Sequence, residues 1–113
     1  MTELDTFNIL KYRHCALTNI KVDDEWVPRG AIYWINNDGQ LHSHNDQPSN
    51  IWPDGTKFWY RNGKLHREDG PAIEYPDGSK HWYRNDKRHR ENGPAIEYID
   101  GSMRWYINGF LIN

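Results

Sequence analysis

Six histidines are the residues of this chain most directly suited to chemistry, because imidazole binds metals and exchanges protons near neutral pH. They are His14, His42, His44, His66, His81 and His89. His66 and His89 occupy equivalent places in a repeat, and two strands per repeat would set them about 9–10 Å apart. Imidazoles that share a zinc ion at about 2.0–2.1 Å per bond cannot lie so far apart. We therefore expect surface histidines, with no metal and no cofactor.

Catalysis by acid–base or nucleophilic groups needs unlike side chains that converge on a pocket. The polar residues of this chain instead recur in register, as rows, which is typical of a solvated sheet face. We therefore expect a protein that is not an enzyme and has no catalytic residues.

The elements that must position these residues belong to a repeat of 23 residues. Its copies read DQPSNIWPDGTKFWYRNGKLHRE, DGPAIEYPDGSKHWYRNDKRHRE and NGPAIEYIDGSMRWYINGFLIN. A period of this length indicates one supersecondary unit stacked on its neighbours. Asp-Gly and Asn-Gly pairs punctuate each copy and predict two-residue hairpin turns between runs rich in Trp, Tyr and Ile. The predicted fold class is all-β, an antiparallel β-meander of tandem 23-residue hairpin repeats.

The domain organisation follows from the repeat. Residues 1–29 are predicted to form an N-terminal cap segment, with strands favoured over a short helix in residues 1–22. Residues 30–113 form the hairpin array, within one domain overall. The array divides into a degenerate repeat at 30–45 and full repeats at 46–68, 69–91 and 92–113.

A two-residue turn at Asp77-Gly78 sets the predicted register of the second copy. It places Ile73 opposite Trp82 and Glu74 opposite His81. Because side chains alternate between faces, Ile73, Tyr75 and Trp82 share one face, which we take as the core. The acid–base pairs Glu74/His81 and Glu97/Arg104 then mark the other face as solvated.

The Asn-Gly turn gives a register that conflicts in parity with the first. Centred on Asn62-Gly63, it places Tyr60 opposite Leu65, and counting by twos from Leu65 puts Ile73 on the wrong face. Bulges or strand breaks at Gly70-Pro71 and Gly93-Pro94 would reconcile the two registers.

A row of tyrosines on the predicted solvated face is the candidate site. An aromatic strip bordered by both charges is typical of protein-interface hot spots. The predicted partner-binding residues are Tyr60, Tyr83, Tyr106, Glu74, His81, Glu97 and Arg104. Two alternatives stay open: the tyrosines pack within the fold, or they stack a nucleotide together with Arg61 and Arg84.

Composition limits the class of partner. Leu, Ile, Val and Phe together number 21 of 113 residues, while 16 aromatics supply the remaining core material. The formal net charge of −2 disfavours a general nucleic-acid binder, which would be basic. The single cysteine, Cys15, fits a reducing compartment, and no apolar run is long enough for a membrane span. We expect a cytoplasmic protein that does not act on membranes.

The pattern Asn-Gly-x-Leu-His-x-x-x-Gly-Pro-Ala-x-x-Tyr-x-x-Gly resembles the variant MORN repeats of bacterial, phage and large-virus proteins; the stretch from Gly63 to Gly109 carries the match, with a weaker echo from Gly30. The chain departs from that pattern at Pro71, Pro94 and Asn85-Asp86. The resemblance implies stacked β-hairpins and an interaction scaffold, in some members antitoxin-like, and it carries no catalytic residues.

The predicted function is a non-enzymatic protein-binding module. On the resemblance, it would be a phage-encoded or antitoxin-like stoichiometric inhibitor of a host protein, acting in the host cytoplasm. Two other functions remain open: a protein that sequesters a nucleotide or short nucleic acid, and a self-assembling structural unit. The expected partner is thus another protein, a host or cognate target, and pairing of exposed edge strands could also make a homodimer.

Overall fold

Two kinds of hairpin alternate along the chain in the computed structural model, which describes residues 13–113. Within this range the protein is all-β, as predicted, and every strand pairing is antiparallel. Within the N-terminal segment, residues 13–15 and 20–22 form strands, and the role of the segment as a cap stays a prediction. Its first 12 residues lie outside the described range.

One long sheet and four separate two-stranded hairpins make up the described fold, with strands numbered in chain order. The long sheet contains, in spatial order, β1 (Arg13–Cys15), β4 (Ile32–Trp34), β5 (Asn50–Ile51), β6 (Lys57–Phe58), β9 (Ile73–Glu74), β10 (Lys80–His81), β13 (Ile96–Glu97) and β14 (Met103–Arg104). The N-terminal hairpin is β2 (Ile20–Val22) with β3 (Glu25–Val27). Three side hairpins, one per repeat, are β7 (Tyr60–Arg61) with β8 (Lys64–Leu65), β11 (Tyr83–Arg84) with β12 (Lys87–Arg88), and β15 (Tyr106–Ile107) with β16 (Phe110–Leu111).

The Asp-Gly turns of the long sheet have three-residue loops, so the predicted two-residue loop is wrong. Tyr75 N–H donates to Ser79 O over 3.0 Å, and Gly78 N–H donates to Tyr75 O over 3.0 Å. Only Gly78 of the loop has a positive φ, of 96°. Pro76 presets the φ of a type I turn, and Gly78 then takes the left-handed position that closes a three-residue hairpin. The extra loop residue shifts the register by one.

The shifted register exchanges the predicted partners across the second hairpin. Ile73 lies opposite His81, where Trp82 was predicted, and Glu74 lies opposite Lys80, where His81 was predicted. Because a one-residue shift turns side chains to the other face, the pairs Glu74/His81 and Glu97/Arg104 do not form.

The two faces of the long sheet carry different rows of side chains. The inner face, which includes the buried Phe58, Ile73 and Ile96, carries in order His14, Tyr33, Asn50, Phe58, Ile73, His81, Ile96 and Arg104. The outer face carries in order Cys15, Ile32, Ile51, Lys57, Glu74, Lys80, Glu97 and Met103. The apolar core lies at the inner face, which the side hairpins and the N-terminal hairpin cover; its buried members are Ala16, Val22, Val27, Ala31, Leu41, Phe58, Tyr60 and Ile73.

The Asn-Gly turns close the side hairpins in the predicted register. Tyr60 lies opposite Leu65, and both turn residues are left-handed, with φ of 50° at Asn62 and 82° at Gly63. These values define the type I′ turn that the strand twist favours. Between Leu65 and Ile73 the chain leaves the strand conformation entirely. The Gly-Pro segment is therefore a strand break and not a one-residue bulge.

Equivalent side hairpins stack through backbone hydrogen bonds that recur at each junction. Gly63 N–H donates to Leu41 O over 2.9 Å, and Gly109 N–H donates to Arg88 O over 2.8 Å. Asp86 forms two hydrogen bonds with Leu65. Its N–H donates to Leu65 O over 2.9 Å, and its Oδ1 accepts from Leu65 N–H over 2.7 Å. This second bond gives a physical role to the aspartate that replaces glycine in the second turn. The result is an elongated molecule of 48 × 27 × 25 Å.

Candidate partner-binding surface

The seven predicted partner-binding residues fall on three parts of the fold, so the common face that was predicted for them does not exist. Tyr60 lies in the core. Glu74 and Glu97 lie on the outer face, where the one-residue register shift turns them away from His81 and Arg104. The inner face and its side hairpins carry the other four, which are Tyr83, Tyr106, His81 and Arg104.

Tyr60 is only 6% exposed and cannot belong to an exposed strip. Its ring centroid lies 6.3 Å from that of Phe58, and its hydroxyl donates to Glu25 Oε2 over 3.3 Å. Burial raises the pKa of the Tyr60 phenol well above its ordinary value and also raises the pKa of Glu25. The N-terminal hairpin supplies Glu25, so a segment outside the repeat pattern determines the burial of Tyr60.

The outer-face glutamates are held by arginines that stack on tryptophans. Arg67 Nη1 lies 3.2 Å from Glu74 Oε2, and Arg90 Nη1 lies 2.9 Å from Glu97 Oε2. The guanidinium carbon of Arg90 lies 3.9 Å from the Trp82 ring centroid. Trp82 is thus half-buried beneath Arg90 and is not the cross-strand partner of Ile73. Cation–π contact and the ion pair together fix each arginine.

Tyr75, His81 and Tyr98 form a continuous aromatic row at the inner face of the second and third repeats. The His81 ring centroid lies 5.1 Å from that of Tyr75 and 6.0 Å from that of Tyr98, both edge-to-face. Such geometry is favourable because the ring edge is positive and the ring face negative. Tyr75 is 36% exposed and Tyr98 is 41% exposed, so this row is accessible to solvent.

Arg88 joins this row to the tyrosines of the side hairpins. It lies opposite Tyr83 in the β11–β12 pair, and its guanidinium carbon lies 5.4 Å from the Tyr106 ring centroid. Its Nε is enclosed and makes no hydrogen bond within the described part of the chain. Burial, and after it the positive charge of Arg88, lowers the pKa of His81. We call the set Tyr75, His81, Tyr83, Arg88, Tyr98 and Tyr106 the tyrosine cluster.

The tyrosine cluster is open because polar residues replace the apolar ones that fill the same layer of the first repeat. Phe58 of the first repeat corresponds to His81 of the second, Trp52 corresponds to Tyr75, and Leu65 corresponds to Arg88. In the first repeat the Trp52 and Phe58 ring centroids lie 4.7 Å apart, packed in the core region. The sequence signal for the cluster was therefore a difference between copies, whereas the prediction relied on what the copies share.

The repeat histidines have a structural role that the sequence interpretation missed. His66 and His89 are buried, 5% and 8% exposed, and are not surface residues as predicted. Each accepts a hydrogen bond at Nδ1 from the asparagine N–H of the next turn: Asn85 donates to His66 over 3.1 Å, and Asn108 to His89 over 2.9 Å. His42 accepts in the same way from Asn62 over 3.0 Å. The three histidines therefore tie each hairpin to the one that follows.

No group of three or more His, Cys, Asp or Glu side chains with metal-binding proximity occurs among residues 13–113. Over the same residues there is no helix long and apolar enough to cross a membrane.

Comparison of the chain with family models, with curated proteins and with solved structures gave no match. The relation to variant MORN repeats therefore rests only on the resemblance of the motif between Gly63 and Gly109.

Proposed function

We propose that this protein is a non-enzymatic binding module that takes up another protein on the tyrosine cluster. The observation that carries the proposal is the accessible row Tyr75–His81–Tyr98, backed by Arg88 and two further tyrosines. Tyrosine rings offer a large contact area at low cost in conformational entropy, and their hydroxyls donate hydrogen bonds. Arginine and tyrosine are the residues that most often dominate the energy of a protein interface.

The shape of the array also supports the binding of a protein on the tyrosine cluster. The cluster spans two consecutive repeats, so a partner segment that lies along the array would meet the same kind of side chain in each. On the resemblance to variant MORN repeats, the bound protein would be a host or cognate target that the module inhibits stoichiometrically.

A second candidate function, the binding of a nucleotide or a short single strand, has its own supporting observation. The Arg88 guanidinium already lies over the Tyr106 ring, and bases stack on such aromatic and guanidinium surfaces. The same experiment separates the two candidates, because a bound nucleotide is released on denaturation as a small molecule with a nucleobase absorption band, whereas a bound protein is recovered as a polypeptide.

The test uses the full chain as bait in cell lysate, with a double variant of the two exposed tyrosines. Tyr75→Ala with Tyr98→Ala should abolish capture of the partner, because it removes the accessible rings while leaving the buried residues in place. The matched control is Lys57→Gln with Lys80→Gln, two exposed residues of the outer face, which should capture as the parent does. Circular dichroism checks that both variants fold.

Capture that survives the tyrosine variant, or that is lost equally in the lysine control, would contradict the proposal. Release of nucleotide from the parent alone would support the second candidate function. Sedimentation of the free protein identifies self-association, the third function left open by the sequence.

A further inference from the structure

An aspartate of the first repeat occupies a site that its own chain builds from a tryptophan and an arginine. The Asp46 carboxylate accepts two hydrogen bonds from Arg67, from Nε to Oδ1 over 3.0 Å and from Nη2 to Oδ2 over 3.2 Å. The backbone carbonyl of Asp46 accepts a third, from Trp59 Nε1 over 2.9 Å. Asp46 is left-handed, with φ of 58°, and this conformation presents both its carbonyl and its carboxylate to one site.

The second repeat builds the same donors, and among residues 13–113 the counterpart of the Asp46 acceptor is missing. Arg90 lies over Trp82 at 3.9 Å from the ring centroid, as Arg67 lies over Trp59 at 3.8 Å. Arg90 uses Nη1 for Pro94 O and Glu97, but its Nε and Nη2 bond to no described residue. Trp82 Nε1 likewise has no partner in residues 13–113. The Arg90 side chain is accordingly 28% exposed, against 15% for Arg67.

The residue equivalent to Asp46 does not fill the vacant site. That residue is Asp69, which follows Glu68 directly and precedes Gly70-Pro71. Asp46 instead follows the left-handed Asn45, with φ of 55°. Asp69 is exposed, forms no hydrogen bond to a described side chain, and lines the same groove as Arg90.

This groove, of about 510 Å³, lies between the end of the first repeat, at Arg67 and Glu68, and the second repeat, and it reaches Asn92 of the third. Gly93 leaves room on the far side of the guanidinium, where a Cβ would lie 3.0 Å from Arg90 Cζ. The groove is balanced in charge, so recognition depends on the geometry of the donors more than on net attraction. Its charged lining residues are Arg67, Arg84, Arg90, Glu68, Asp69 and Glu91.

We propose that the groove binds an aspartate residue of a partner protein, presented in a left-handed turn as Asp46 is in the first repeat. The carboxylate accepts from Nε and Nη2 of Arg90 in a side-on, two-bond arrangement, and the aspartate carbonyl accepts from Trp82 Nε1. Charge-assisted bonds of this bidentate kind are both strong and specific for planar carboxylates. The site is separate from the accessible row of the tyrosine cluster and does not depend on the function proposed there.

The probe is a blocked peptide that copies residues 43–49 of the chain, SHNDQPS, titrated into the full-length protein. Nitrogen-15 NMR follows the Nε–Hε signals of the arginines and the Nε1–Hε1 signals of the tryptophans. The expected result is a saturable shift of the Arg90 and Trp82 signals, with the Arg67 and Trp59 signals unchanged. The same peptide carrying Asp46→Asn should bind at least about tenfold more weakly, because it loses two charge-assisted bonds.

Two protein variants separate the effect of charge from that of the fork, by which we mean the adjacent Nε and Nη2 donors of Arg90. Arg90→Lys keeps the charge but loses the fork, and binding should fall about tenfold. The matched control is Arg84→Gln, which removes a charge from the same groove without touching the fork, and binding should stay within about twofold. Tyr75→Ala with Tyr98→Ala should leave peptide binding unchanged, so a failure of the proposed function would remain distinguishable.

Three outcomes would overturn the inference: no saturable shift at the Arg90 and Trp82 signals, equal binding of the asparagine peptide, or full binding to Arg90→Lys. A fourth concerns Asp69. If Asp69→Asn in the free protein moves the Arg90 Nε–Hε signal, then Asp69 itself occupies the fork in solution and no partner residue is required.

Discussion

Arginine side chains at equivalent positions show how one residue type serves two purposes in this fold. Arg67 is enclosed by Trp59 on one side and bound by Asp46 and Glu74, so its hydrogen-bonding capacity is largely used within the chain. Arg90 has the same tryptophan contact, but within residues 13–113 only its Nη1 forms hydrogen bonds. A residue that stabilises one repeat can thus become a recognition group in the next when a single acceptor is missing.

His81 provides a prediction at the same scale, because it occupies the position of Phe58 on the inner face. Its pKa is lowered from 6.5 by burial first and then by Arg88, while Asp77 opposes the shift; Tyr75 and Tyr98 are its ring neighbours. A group with a lowered folded-state pKa contributes stability that is fully present above about pH 6.5 and is lost as pH falls through that pKa. His81→Phe should therefore lose less stability than the parent between about pH 7.5 and pH 5.5.

Urea unfolding at the two pH values measures the difference directly. His42, whose pKa is also lowered by burial, remains in both proteins and supplies the shared part of the loss. An identical loss of unfolding free energy in parent and variant would show that His81 does not contribute.

At the scale of elements, the Gly-Pro break allows the backbone to pack closely against an arginine side chain. Gly70 and Gly93 do not have positive φ; each lies against an arginine, and an added Cβ would come within 3.0 Å of the guanidinium. The guanidinium is therefore enclosed between a tryptophan ring and a glycine. Glycine is needed here for its lack of a side chain and not for its backbone freedom.

This geometry predicts an order for two equivalent substitutions. Gly70→Ala should lower the unfolding free energy more than Gly93→Ala, because Arg67 is also fixed by Asp46 and cannot move aside as Arg90 can. Overpacking of this kind typically costs about 1–3 kcal/mol. Chemical denaturation of both variants is the measurement, and equal losses, or a larger loss for Gly93→Ala, would contradict the account.

The strands and turns also show which features of the fold can be predicted from the sequence. The Asn-Gly turns, their register and the all-β class follow from it, because a type I′ turn depends on its two central residues alone. The Asp-Gly register does not follow from the dipeptide, because the pair closes a three-residue loop here whether proline or Ile99 precedes it. In two of the repeats Pro53 and Pro76 indicated the longer loop, because proline favours the first central position of a type I turn.

The candidate site was predictable only in part, for a related reason. Repeat logic treats Tyr60, Tyr83 and Tyr106 as equivalent, and it correctly places them on equivalent strands. Their burial differs because Tyr60 meets Glu25 of the N-terminal hairpin, a contact that no periodic pattern contains. Arg88 stands where the first copy has Leu65, whereas Arg90, Trp82 and Asp69 are the same residue types as their counterparts in the first copy, so comparison of the copies could not distinguish the two arginine sites.

At the scale of the whole molecule, the apolar core is concentrated towards the first repeat. The main core cluster extends from Ala16 to Ile73; in the third repeat Ala95 and Ile96 are buried, but large apolar side chains such as Phe110 and Ile112 are exposed. Local opening in a repeat array reflects the contacts of each unit and its nearest neighbours. The array should therefore open from its third repeat.

Three equivalent backbone amides test this gradient. Trp59 N–H donates to Ala72 O over 2.7 Å, Trp82 N–H to Ala95 O over 2.7 Å, and Trp105 N–H to Asn113 O over 3.1 Å. Native-state hydrogen exchange should be slowest at Trp59, intermediate at Trp82 and fastest at Trp105. Equal exchange at all three would mean that the array unfolds only as a unit.

The histidine contacts between consecutive hairpins have a consequence for how such a chain can change in length. The Nδ1 atoms of His42, His66 and His89 each accept a hydrogen bond from the backbone N–H of the asparagine in the next turn. These bonds do not depend on the asparagine side chain. If the coding segment for one repeat were duplicated in frame, the new repeat would therefore be able to form these hydrogen bonds with the repeats on both sides of it. Lengthening in whole repeats is open to this lineage by a single genetic event, and the new copy is then free to diverge.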